Sequence, residues 1–104
     1  MSANEFDALK AEIKDFAVAR DWEKFHTPKN LAMAISGEAG ELAAEFQWLT
    51  AEQSSLESLN SEKLDAIALE LADVQIYLLR LADVLGIDVS DVVRKKLQIN
   101  EGRF

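Results

Sequence analysis

The chain has 104 residues, with 11 Lys or Arg against 19 Asp or Glu, one His and no Cys, for a formal charge of −8. The absence of Cys excludes disulfides, thiolate nucleophiles and cysteine zinc sites, and a single His rules out a His-rich metal site. The acidic balance argues against nucleic-acid polymers and anionic membranes as partners. No apolar run reaches the ~18 residues of a membrane span, and MSANEFDALK lacks the pattern of a secretory signal, so a cytoplasmic protein is expected.

Hydrophobic residues make up 49% of the chain, with only 4 Gly and 1 Pro, which predicts a folded globular chain. The expected fold is all-α: one domain over residues 1–104, a bundle of about four helices. The first helix is predicted from Ser2 to Arg20. Ser2 and Glu5 form a candidate capping box, and Phe6, Leu9, Ile13, Phe16 and Ala17 recur at helical spacing. A link with Trp22 and Phe25 follows. Thr27 and Pro28 then read as an N-cap and a first-turn proline, opening a second helix to about Leu49. Residues 50–60 are polar and Ser-rich and predict a loop, with a short helical turn at Leu56 and Leu59. A third helix is expected from Ser61 to Leu85, stopped by Gly86 as a left-handed cap. Asp88 or Ser90 caps a fourth, carrying Val89, Val92, Val93 and Leu97 and fading near Gly102. The abrupt stop at Phe104 leaves room for further chain in the natural protein.

The third helix is apolar around most of its circumference. Ile67, Leu71, Val74, Leu78, Leu81 and Leu85 form one stripe, while Leu69, Ile76 and Leu79 occupy a largely different side. Such a helix is buried on several sides, more than three or four helices of one chain can cover. The core is therefore expected to be completed by oligomerisation.

Two acid pairs interrupt these stripes. Glu38 and Glu41 are three apart on the second helix, as are Glu70 and Asp73 on the third, so each pair can address one point. Glu38 lies within the stripe of Leu31, Ile35, Leu42 and Leu49, with Glu41 at its edge. Glu70 borders the main stripe of the third helix, near Asp73 and Tyr77. Two carboxylates about 5 Å apart repel by roughly 3 kcal/mol at an effective dielectric near 20. Four turned inward require protonation or cations. All-oxygen ligands favour Mg²⁺, Mn²⁺ or Ca²⁺. The plain alternative is a solvated acidic face, since Glu-x-x-Glu spacings arise readily among 19 acids.

The last segment reverses the charge, residues 92–104 carrying +3 against −11 elsewhere. Lys96, Asn100 and Arg103 continue the stripe of Val89, Val92 and Val93. They are candidate partners for phosphate oxygens, or the cations of a terminal helix complementing its dipole. Trp22, Phe25, Phe46, Trp48 and Tyr77 gather at helix ends or near the acids, where aromatic faces serve as core packing or as a stacking surface for a base. His26, beside Thr27 and Pro28, reads as a cap or packing residue.

Together these residues resemble the all-α MazG-like nucleoside triphosphate pyrophosphohydrolases, in particular the compact dCTP pyrophosphatase-like branch. The family signature, Glu-x-x-Glu, a spacer, then Glu-x-x-Asp, is matched by Glu38, Glu41, Glu70 and Asp73 with residues 42–69 between. The flanking blocks ARDWEKFHTPKNLA, GEAGELAAEFQWLT, ELADVQIYLLRLA and KLQINEGRF extend the similarity over nearly the whole chain from Arg20. The resemblance implies a Mg²⁺-dependent hydrolase (Mn²⁺ as a substitute) that converts a (d)NTP, such as dCTP, to its monophosphate and pyrophosphate. It implies metal ligands at Glu38, Glu41, Glu70 and Asp73, which are also the catalytic residues. Substrate contacts are implied at Trp22, Trp48, Tyr77, Lys96, Asn100 and Arg103. It further implies a homodimer or dimer-of-dimers tetramer with sites at subunit contacts, and a role in nucleotide house-cleaning. One departure is Ile13, where related chains carry a His near the base. The rival expectation is a non-catalytic helical module for dimerisation or partner binding, which would explain the apolar third helix but not the inward acids.

Overall fold

A computed structural model describes residues 4–104, and every regular element among them is helical: α1 Glu5–Ala19, a single 3₁₀ turn Glu23–Phe25, α2 Pro28–Ala44, α3 Ser61–Val84 and α4 Val89–Arg103. The all-α expectation holds. Ser2 of the expected capping box lies outside the described residues. The side chain of Asn4 caps α1, accepting from the Asp7 amide at 2.9 Å. Thr27 caps α2 with Pro28 at its first position, Asn60 caps α3, and Asp88 caps α4. Each side-chain oxygen satisfies an amide that the first turn cannot pair internally.

Two helices end in the same hydrogen-bonded turn. After α3, Gly86 takes φ +67°, its amide bonds Asp83, and the Ile87 amide bonds Ala82. After α1, Asp21 takes φ +58°, its amide bonds Val18, and the Trp22 amide bonds Ala17. Both are Schellman caps. The first was legible from Gly86. The second rests on Asp, whose short polar side chain tolerates the left-handed region, and it sets the direction in which Trp22 leaves α1.

α2 is shorter than expected: it stops at Ala44, not Leu49. From Glu45 the amides of residues 45, 46, 47 and 49 bond three residues back, so the chain tightens into successive turns. Thr50 and Gln53 then hydrogen-bond reciprocally, each side chain accepting from the other's amide, which fixes the start of the connection. The turn expected near Leu56 and Leu59 is present, with the Leu59 amide bonded to Ser55.

α2 and α3 pack antiparallel. Contacts pair His26 with Arg80, and Glu45 with Lys63, so the start of one helix lies beside the end of the other. α1 also runs against α3. Lys10 Nζ donates to the Ile87 carbonyl at 2.6 Å beyond the end of α3, while Phe16 and Ala17 share a cavity with Asp73 and Ile76. The buried apolar residues are Ala17, Leu31, Ile67, Leu79 and Ala82. That is a thin core. Leu69 stays 69% exposed, Leu71, Ile76 and Leu78 are exposed, and α4 buries no residue. The radius of gyration is 16.3 Å, against about 13 Å for a compact domain of 100 residues.

Candidate active site

The antiparallel pairing of α2 and α3 brings their acids together. One carboxylate oxygen from each of Glu38, Glu41 and Glu70 lies within 4.8 Å of the others. Glu38 and Glu70 are half-buried and Glu41 is exposed. One oxygen of Glu38 and one of Glu70 are shielded from solvent and have no hydrogen-bond partner among the described residues. A buried, unpartnered acceptor is costly, and this site contains two of them.

Loss of solvation holds the Glu38 carboxyl above its ordinary value, helped by the charges of Glu41 and Asp73 and by a hydrogen bond with Glu41. Glu70 is raised in the same way, by loss of solvation first and then by Glu41, Asp73, Glu38 and Glu45. Asp73 stands outside the tight trio and is exposed, but its charge reaches both buried acids. Glu45 is a fifth acid beside the cluster, and Lys63 Nζ pairs with it at 2.9 Å. Unpartnered oxygens on converging carboxylates, with no soft ligand, fit a hard divalent cation.

Beside the acids lies a cavity of about 300 Å³ lined by Glu38, Asp73, Trp22, Tyr77, His26 and Arg80 among others. A second hollow, of about 330 Å³, adjoins it and shares Trp22, His26 and Tyr77. Of the expected substrate residues, the fold brings Trp22 and Tyr77 to the acids. Trp48, on the turns after α2, is 86% exposed and does not line this cavity. Lys96, Asn100 and Arg103 lie on α4 and do not line it either. Asn100 nonetheless has a shielded Oδ1 without a partner among the described residues, and Arg103 lies 5.3 Å from the Phe104 ring.

Sequence reasoning missed Arg80, whereas His26, expected as a cap or packing residue, caps the 3₁₀ turn Glu23–Phe25 and lies against Arg80. Arg80 is only 5% exposed. Its Nε donates to His26 Nδ1 at 3.1 Å, one terminal nitrogen donates to Asp83 at 3.2 Å, and the other lies 3.8 Å from Glu23. The signal was present in the sequence: Arg80 lies seven positions after Asp73, two helical turns on along the same face, and a cation in the apolar run YLLRLA needs a reason.

The helical scaffold holds a carboxylate trio beside an aromatic cavity, and residues 33–103 match the MazG-like family. The chain belongs to that family. It is 42% identical over 90 residues to dCTP pyrophosphatase 1 of Homo sapiens and 40% identical over 90 residues to that of Bos taurus, covering 86% of this chain and 53% of each relative. The chain thus spans about half the length of these curated relatives. A crystal structure of a pyrophosphatase from Archaeoglobus fulgidus superposes with a TM-score of 0.88 at 36% identity, covering 100% of this chain and 95% of that one.

Proposed function

We propose that this chain is a nucleoside triphosphate pyrophosphohydrolase that cleaves a (d)NTP, with dCTP the leading substrate, into monophosphate and pyrophosphate. The convergence of Glu38, Glu41 and Glu70 with two unpartnered buried oxygens carries this assignment. Solvated surface acids, the plain alternative, would turn those oxygens to water. The names of the matched relatives support the same chemistry.

Glu38, Glu41 and Glu70, with Asp73 beside them as the fourth ligand, would hold Mg²⁺, or Mn²⁺ in its place. When bound, such a cation neutralises charge on phosphate oxygens and lowers the pKa of a coordinated water. The protein's own part is to position and to exclude. Trp22 and Tyr77 offer aromatic faces to a base. A non-ligating oxygen of Glu38 or Glu41 would accept the proton of the water that attacks the α-phosphorus, and pyrophosphate leaves as the α–β phosphoanhydride bond breaks. Lys96, Asn100 and Arg103 supply donors for the phosphate chain, and Trp48 a second face for the base.

These four residues stand apart from the cavity in a single chain, and the thin core leaves Leu69, Leu71 and Leu97 exposed. Both observations support assembly as a homodimer or dimer-of-dimers, with a second copy closing the site. The test is a panel of common NTPs and dNTPs with Mg²⁺, resolving pyrophosphate from orthophosphate. Pyrophosphate release is expected, and orthophosphate alone would reject attack at the α position.

A further inference from the structure

We propose that His26 reads the hydrogen-bonding edge of the substrate's base: Arg80 locks its ring as the Nε2–H tautomer, and the ring presents that N–H to the cavity as a donor for an acceptor such as a pyrimidine carbonyl oxygen. The inference rests on the nucleotide assignment above and adds a specificity residue to it.

Arg80 carries only donors and stays protonated. Its Nε–H therefore requires a lone pair on His26 Nδ1, 3.1 Å away, and the proton of the neutral ring is left on Nε2. The guanidinium cannot easily swing away, because Asp83 and Glu23 hold its other nitrogens and it is buried. Partial burial and the Arg80 charge both keep the imidazole neutral, against a weaker opposing pull from Glu23. The Arg80 bond is the one hydrogen bond that the ring makes among the described residues, so Nε2–H is free for a ligand. His26 lines both hollows that Trp22 and Tyr77 line. Stacking on aromatic faces accepts any base. A fixed N–H beside those faces distinguishes a base edge that offers an acceptor from one that offers a donor.

The chain's single His makes the test direct. Labelling the full chain with ¹⁵N-histidine gives one imidazole, expected as the Nε2–H tautomer. With Mg²⁺ present, a non-hydrolysable dNTP analogue should shift the Nε2 resonance and leave Nδ1 in place. Inorganic tripolyphosphate, which has no base, should move neither. His26→Asn keeps an acceptor near the Nδ1 position and removes the outer donor. It should raise KM about tenfold with kcat held within about twofold, and leave tripolyphosphate affinity unchanged. His26→Gln, whose amide reaches toward the Nε2 position, should recover part of the loss. An Nδ1–H tautomer, an Nε2 signal unmoved by a nucleotide that calorimetry shows to bind, or a wild-type KM in His26→Asn overturns the proposal and leaves the nucleotide assignment standing. Failure of every nucleotide to bind overturns both. If His26→Asn does not fold, the labelled wild-type resonance decides.

Discussion

Glu38 on α2 and Glu70 on α3 each keep one carboxylate oxygen shielded from water and, among the described residues, unpartnered, across the seam where the two helices run antiparallel. The residues that build the site are thus ones that the fold alone would be better without.

Glu38→Gln and Glu70→Gln remove a repelled charge and keep the shape. Each should raise the thermal midpoint of the metal-free protein, because the desolvated and like-charge contributions that raise both carboxyls disappear. Each should also cut Mg²⁺-dependent turnover, by at least the 10–100-fold typical of losing a residue that merely supports a metal ligand, on the order of two decades or more. Differential scanning calorimetry in a chelator and a pyrophosphate-release assay check the two halves. A lower midpoint with retained activity contradicts the reading of both acids.

The same groups set a pH dependence. In the folded, metal-free chain both carboxyls titrate above their ordinary value of 4.5. Between that value and the raised folded ones, the native state binds protons that the unfolded chain has released. Their stabilising contribution is therefore full below the ordinary value and is lost as pH rises through the folded values. The midpoint advantage of a Glu38→Gln, Glu70→Gln double variant over wild type should grow as pH rises above the ordinary value of 4.5 and vanish toward acid. Thermal melts on both sides of that value, in a chelator, measure it.

Trp22 leaves α1 through the Schellman turn at Asp21 and lines both hollows. If it stacks on the base, Trp22→Ala should raise KM for nucleotides by about 5- to 150-fold, the span of one base–aromatic contact. The affinity for tripolyphosphate should not change. Steady-state kinetics and calorimetry separate the two effects.

Lys10 is buried, and its ammonium donates to the Ile87 carbonyl at 2.6 Å, tying α1 to the turn between α3 and α4. Lys10→Met keeps most of the side-chain volume and removes the donor. A loss of about 1.5–3 kcal/mol is expected for a hydrogen bond to a charged group. In a domain this small each kcal/mol moves the midpoint by about 4–8 °C. An unchanged melting curve would show that water satisfies the carbonyl equally well.

Much of this architecture is visible in the sequence, and the reasons are local. Thr27 with Pro28, and Gly86 after α3, mark boundaries by backbone chemistry that works wherever it occurs. The end of α2 was not marked, since nothing in AAEFQWLT breaks a helix, and the reciprocal Thr50–Gln53 bonds become visible only in three dimensions. The acid trio was legible because a spacing of three on each helix limits where the carboxylates can go. Asp73 shares the spacing but stands outside the trio: it is exposed, and its charge acts on Glu38 and Glu70. Arg80 and His26 are 54 residues apart in the chain. Their pairing depends on the register of α2 against α3, which periodicity does not specify.

Titration of Mg²⁺ into the metal-free wild-type protein, followed by calorimetry and repeated with Glu38→Gln, tests the central claim most directly. Saturable binding that the variant loses is the predicted result. A wild-type protein that gives no binding isotherm, alone or with a non-hydrolysable nucleotide present, would contradict it.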